Sequence, residues 1–231
     1  IYYDKEVGKH SVGLTLLQSA TGYHYEESSM AAEGIPLESA KWNALSKENV
    51  SLLDEWNSGL IEKQLLSYMF RVNYDYNNKY LLTVSGRWDG ASQLAEGNKW
   101  AFFPSAALGW RLDQEEFLKD VTWLNQLKFR LGVGVTGNSA IDPYQTKGAI
   151  VSLYYPFGSA LAPGYAASEP LIKDGAVAMA NKNLSWEKTT QYNIGLDYSV
   201  LNGRISGVLD FYTSRTTDLL MAMTIPSLNG Y

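Results

Sequence analysis

The feature that most constrains this chain is strict alternation carried through a turn. From Leu66 to Tyr76 the even positions are Leu66, Tyr68, Phe70, Val72, Tyr74 and Tyr76, while the odd ones are Ser67, Met69, Arg71, Asn73 and Asp75. After Asn77-Asn78-Lys79 the even set resumes as Tyr80, Leu82, Val84, Gly86 and Trp88 against Leu81, Thr83, Ser85, Arg87 and Asp89. A period of two places each set on one face of a strand. Folding back at the turn sets Tyr76 opposite Tyr80, Tyr74 opposite Leu82 and Val72 opposite Val84, so register and pattern agree. A second hairpin repeats the arrangement. Tyr192, Ile194, Leu196, Tyr198 and Val200 share a face, Asn202-Gly203 suits a type I′ turn, and pairing Leu201 with Arg204 aligns Val200 with Ile205, Leu196 with Leu209 and Ile194 with Phe211.

Three more segments alternate. Val12, Leu14, Leu16 and Ala20 lie on one side of 11–25, interrupted by Gln18. Phe102, Ala106, Leu108, Trp110 and Leu112 lie on one side of the next, and Leu127, Phe129, Leu131, Val133 and Val135 face away from Lys128, Arg130, Gly132, Gly134, Thr136 and Asn138. The second face carries about two charges per strand, too polar for the dry interior of a sandwich. A water-filled lumen accommodates it, because porin-type barrels are polar inside and apolar outside. The expected fold class is therefore all-β, an antiparallel transmembrane β-barrel segment.

Hydropathy alone points elsewhere. Mean hydropathy is -0.20, and no apolar run is long enough to span a bilayer as a helix. A barrel strand needs only alternate apolar residues, so it leaves a weak signal. The 16 Tyr, 7 Trp and 7 Phe cluster near the ends of alternating runs, as interfacial girdles do. Net charge is -5, with no basic stripe for nucleic acid. Cysteine is absent, which excludes disulfides and thiolate metal sites. The chain reads as an internal piece of a longer protein, starting at Ile1-Tyr2-Tyr3-Asp4 without a signal peptide and ending in loop-like sequence.

Connections alternate in length. Lys5 to Lys9, Asn77 to Lys79 and Leu201 to Arg204 are short; the stretches near 27–64, 90–100 and 139–185 are long. Short periplasmic turns and long extracellular loops give outer-membrane barrels this asymmetry. The exception is Asp113 to Gln126. Asp113 with Glu116 resembles a capping box, and Phe117, Leu118, Val121 and Leu124 follow at helical spacing, so a short periplasmic helix is expected.

Chemical motifs are sparse. Gly132 to Gly137 has the glycine spacing of a dinucleotide turn but lies inside a strand, so Gly132 and Gly134 are read as reducing bulk on the lumen face, where a plug or ligand approaches. His10 and His24 are the only histidines, and no catalytic or metal-ligating pattern involves them. No enzyme activity, cofactor or metal is expected. Inward positions hold Asp75, Glu187, Asp197, Asp210 and Lys128 besides the lumen or plug-facing set Arg71, Arg87, Asp89, Arg111, Arg130 and Asn138. Mutual ion pairing, hydration or plug contact suits these charges better than a catalytic acid pair. Long-loop aromatics Trp42, Trp56, Tyr144, Tyr154 and Tyr155 are candidates for ligand stacking, against the plainer reading of loop packing.

Several strings resemble the barrel of SusC-type transporters. Arg87-Trp88-Asp89-Gly90-Ala91-Ser92 is similar to that family's Arg-x-Asp-Gly-Ser-Ser run, with Ala91 in place of serine. Trp100-Ala101-Phe102-Phe103-Pro104-Ser105, Gly109-Trp110-Arg111, Gly134-Val135-Thr136-Gly137-Asn138 and Leu184-Ser185-Trp186-Glu187-Lys188, continuing to Asp197, follow in the family's order. The resemblance covers most of 65–220. It implies that 1–231 is a portion of a 22-stranded, plugged barrel of the outer membrane, in contact with its lipid, whose plug and TonB box lie outside this chain. It also implies a SusD-like lipoprotein over the mouth and TonB-driven import of an oligosaccharide or peptide. A soluble or surface all-β module for glycan binding or adhesion is the alternative. It requires a second sheet over the apolar face.

Overall fold

A computed structural model describes residues 1–33, 51–147, 149–157, 160–169, 171–173, 176–178 and 181–221; 51–57 and 149–178 enter through their backbone alone. Its main feature is an eight-stranded antiparallel sheet in the order β1-β2-β3-β4-β5-β6-β11-β12. The strands are β1 (Tyr2–Val7), β2 (His10–Glu33), β3 (Ser51–Tyr76), β4 (Tyr80–Ala91), β5 (Trp100–Arg111), β6 (Leu124–Asn138), β11 (Glu187–Val200) and β12 (Ile205–Thr217). Between β6 and β11, β7 (Ala149–Phe157) pairs with β8 (Ala160–Glu169), and β9 (Leu171–Lys173) with β10 (Ala176–Ala178).

Both hairpins take the register that their alternation predicts. Tyr76 faces Tyr80 and Val72 faces Val84; Val200 faces Ile205 and Ile194 faces Phe211. The turns are closed by left-handed residues, Asn77 and Asn78 at φ 54° in one, Leu201 at φ 55°, Asn202 at φ 57° and Gly203 at φ 80° in the other. Asn77 and Asn78 tolerate this conformation through short polar side chains, and Asp75 accepts a hydrogen bond from the Asn78 amide at 2.7 Å.

Two connections differ from expectation. β1 continues to Val7, leaving a turn at Gly8-Lys9 rather than over Lys5 to Lys9. Much of 27–64, expected as loop, is strand. From Glu26 to Ser29 both faces of the strand carry polar residues, so neither has an apolar stripe and the period-two signal fades although the strand continues to Glu33. The chain packs as two units, Ile1–Thr21 with Leu65–Tyr231, and Gly22–Gln64. In the second, His24 lies 3.2 Å from Glu26 and 2.9 Å from Glu62, and the Lys63 ammonium sits over the Tyr23 ring.

The short helix expected between β5 and β6 is absent. Leu112–Gln114 and Glu116–Leu118 form separate 3₁₀ turns. Asp113 makes no cap, because its carboxylate is taken by the Arg111 guanidinium at 2.9 Å and the Leu127 amide at 3.2 Å. Glu115, with extended backbone, separates the turns.

Candidate functional site

The sheet has two unlike faces. On one lie Tyr68, Phe70, Leu82, Val84, Leu108, Leu131, Ile194, Leu209 and Phe211, all substantially exposed. No second sheet covers them among the described residues. Aromatic residues bracket this face. At the short-turn end Tyr76, Tyr80 and Trp110 stack in sequence at 6.3 and 6.4 Å, with His10 against Tyr76 and donating to or accepting from the Tyr74 hydroxyl at 2.7 Å. At the long-loop end Tyr68 stacks on Trp100 and Trp88 meets Phe102 edge-on. Eight residues separate Tyr80 from Trp88, roughly 26 Å along the strand, or about 20 Å after the tilt of a membrane barrel. That spacing suits girdles at the two edges of an apolar band.

The opposite face is polar and internally paired. Arg130 reaches Asp197 at 2.8 Å and Asp210 at 3.1 Å, bridging β6, β11 and β12. A side chain at Gly195 would collide with both Arg130 and Asp210, so glycine there lets the ion pair lie flat on the sheet. Arg87 holds both Asp89 oxygens through Nε at 2.8 Å and donates to Ser67 Oγ at 2.9 Å. Ser67 and Asp89 are buried, and a buried carboxylate needs such a partner. Asn138 donates to Glu187 at 3.2 Å and accepts from the Ala140 amide at 2.9 Å. Arg111 is committed to Asp113.

Arg71 is different. It is exposed and makes no hydrogen bond or ion pair with the described residues. By register it lies level with Ser85, Ser105, Gly134, Gln191 and Ser214, a row of neutral hydroxyls, an amide and a glycine in which Ser85 and Ser105 bond to each other at 2.7 Å. One row toward the short turns come Asn73, Thr83, Ala107, Gly132, Asn193 and Tyr212. A Cβ at Gly132 would meet only Asn193 Cβ at 3.9 Å, and one at Gly134 only Ser105 Cβ at 3.4 Å. The sheet itself therefore has no packing need for either glycine. The polar face thus has a neutral, low-relief belt between two zones of paired charge.

At the long-loop end the chain builds a dry core that the strand pattern did not signal. Ala91, Leu94, Ala101, Phe103 and Trp186 are buried together, with the Phe103 and Trp186 rings edge-to-face at 5.2 Å. Trp186 Nε1 donates to the Lys99 carbonyl at 2.9 Å, the Ala95 amide to Leu184 O at 3.1 Å, and Gln93 to Ser139 O at 2.9 Å. The Phe103 ring fills the space over Gly137. Four of the strings that carried the family resemblance, 87–92, 100–105, 134–138 and 184–188, meet here, whereas Gly109-Trp110-Arg111 lies at the short-turn end. Their spacing along the chain gave no hint of this contact.

Of the loop aromatics, Trp42 lies outside the described residues. Trp56 falls in β3, and Tyr154 and Tyr155 fall in β7, with their side chains outside the description. Tyr144 is half exposed and left-handed at φ 71°.

An antiparallel sheet, apolar and aromatic-banded on one side, polar and ion-paired on the other, is a segment of transmembrane β-barrel wall. The family described as TonB dependent receptor-like, beta-barrel, matches residues 6–231, and the chain belongs to it. The TonB-dependent receptor SusC of Bacteroides thetaiotaomicron is 42% identical over 195 residues, 80% of this chain and 18% of that protein. TonB-dependent receptor P26 of Formosa agariphila is 34% identical over 235 residues, 100% of this chain and 22% of the relative. The chain thus spans about a fifth of the length of the curated relatives it matches. Among solved structures, the RagAB peptide transporter aligns at TM-score 0.82 and 23% identity, covering 100% of this chain and 24% of that one. The RagAB peptide importer in its open-open state aligns at 0.83 and 24% with the same coverage. These relatives are named as receptors, transporters and importers.

Proposed function

We propose that this chain is wall and loop structure of an outer-membrane importer that takes up an oligosaccharide or peptide, driven by TonB and working with a SusD-like lipoprotein over the long-loop end. The observation that carries the reading is the sheet's two-sidedness, an aromatic-banded apolar face for lipid and a polar face for the lumen, in a chain of this family. The likeness to SusC and the RagAB fold favours a large solute, since the relatives named for a cargo are named for peptides. Plug and TonB box would be supplied by the rest of the polypeptide.

In this reading the paired polar groups, Arg87 with Asp89, Arg111 with Asp113, Arg130 with Asp197 and Asp210, and the Asn138 amide with Glu187, set the shape of the lumen wall. Arg71 and the neutral belt beside it meet the plug or passing ligand. Trp42, Trp56, Tyr144, Tyr154 and Tyr155 are the loop residues proposed to meet ligand at the mouth. The test is deletion of the full-length gene followed by growth on defined oligosaccharides and peptides, with co-purification of the lipoprotein. Loss of growth on one nutrient class, restored by the intact gene, is expected; undiminished growth on all of them contradicts the proposal.

A further inference from the structure

The segment joining β5 to β6 crosses the rim of the sheet. Arg111 projects from the polar face, level with Lys128 and Asp197, and its guanidinium holds Asp113 at 2.9 Å. Two residues later the chain is on the apolar side. There Glu115 accepts hydrogen bonds from the Tyr80 hydroxyl at 2.8 Å, Trp110 Nε1 at 2.9 Å and the Lys79 ammonium at 3.0 Å. Tyr80 and Trp110 belong to the short-turn girdle, so this carboxylate fastens the crossing to the lipid-side edge of the wall.

Phe117 follows at once. The Leu118 amide bonds back to the Glu115 carbonyl at 3.1 Å, and two peptide units hold the Phe117 Cα within about 7 Å of the Glu115 Cα. Its ring nevertheless stays 68% exposed. The charges nearest it are matched, Asp113 with Arg111, Glu115 with Lys79, and Glu116 with Lys119 at 2.8 Å, while Asp120, three residues on, is exposed and has no ion pair among the described residues. An exposed aromatic residue two positions from a carboxylate bonded to girdle aromatics, on a turn whose nearest charges are paired, fits the boundary between headgroups and acyl chains, where aromatic rings concentrate.

We propose that Phe117 is an interfacial anchor, seated in phospholipid at the leaflet edge bordering the short turns. The inference rests on the membrane reading of the apolar face. To test it, the full-length protein in a cysteine-free background is spin-labelled singly after Phe117→Cys, Phe70→Cys on the apolar face and Lys9→Cys in the β1–β2 turn. Each is placed in phospholipid nanodiscs, and relaxation by oxygen is compared with relaxation by a water-soluble nickel complex. The expected result is a shift of the position-117 label toward the oxygen-rich signature of position 70 and away from that of position 9. A label at 117 that matches position 9, while position 70 reports lipid, overturns the anchor and leaves the membrane reading standing. Shielding of 117 from both reagents also overturns it, in favour of a protein contact. If position 70 itself reports water, the membrane reading fails and the anchor fails with it.

Discussion

The long-loop core and the middle of the wall hold together by different means. Around Trp186 and Phe103 the chain encloses apolar side chains as a globular domain does, sealed by hydrogen bonds between loops. In the wall, Leu108, Leu131 and Ile194 remain open on one face, and paired charges lie on the other. The wall relies on the backbone ladder and on what surrounds it. Its apolar side chains gain their burial from lipid, so only the core should be stable independently of the solvent on the outer face.

The largest effect expected from breaking this contrast is at Trp186. Trp186→Ala removes the ring packed on Phe103 and the bond to Lys99 O, and should cost about 3–5 kcal/mol. Equilibrium unfolding should register a similar loss in detergent and in lipid, and proteolysis should open 91–99. Arg130→Met leaves Asp197 and Asp210 facing each other without a cation. Because all three are partly solvated, the cost should be about 1 kcal/mol, the upper end for exposed pairs, with the loss confined to unfolding of β6, β11 and β12.

Gly132→Ala should stabilise the sheet slightly, by about 0.5 kcal/mol, since a strand glycine carries an entropic cost and no neighbour requires it. If transport falls while stability holds, a body outside this chain approaches that point. Glu115→Gln should show its full loss of stability at neutral pH and a shrinking one as the medium is acidified. Hydrogen bonds from Trp110, Tyr80 and Lys79 hold the Glu115 carboxyl down to about 2, from an ordinary 4.5. A depressed folded-state value contributes stability above pH 4.5 that drains away as pH falls toward 2. Unfolding measured between those limits should be flatter in the variant than in the parent.

The wall was legible in the sequence because lipid and lumen impose opposite chemistry on successive residues. That made the registers at Val72 and Val84, and at Ile194 and Phe211, readable before any coordinates. The core was not legible, since Leu94, Phe103 and Trp186 come from loops and strand ends without shared periodicity. The strand extension over 26–33 was hidden for a related reason, as Glu26, Glu27, Ser28 and Ser29 put polar residues on both faces and leave no apolar stripe. The helix expected after Asp113 failed because Arg111, two residues earlier, and the amide of Leu127 across the connection took the capping carboxylate. Among the inward residues, sequence identified the face but did not separate Arg87, Arg111 and Arg130 from Arg71, which has no ion pair among the described residues; Arg87 and Arg111 pair two residues along the chain, and Arg130 across strands.

The central claim is that adjacent residues of β11 face lipid and lumen. Full-length Ile194→Arg and Asn193→Arg variants, unfolded reversibly from phospholipid vesicles, test it most directly. The two-sided wall predicts that Ile194→Arg loses about 2–4 kcal/mol, the cost of arginine near the bilayer midplane, while Asn193→Arg loses much less. Equal losses, or a larger one at Asn193, would contradict it.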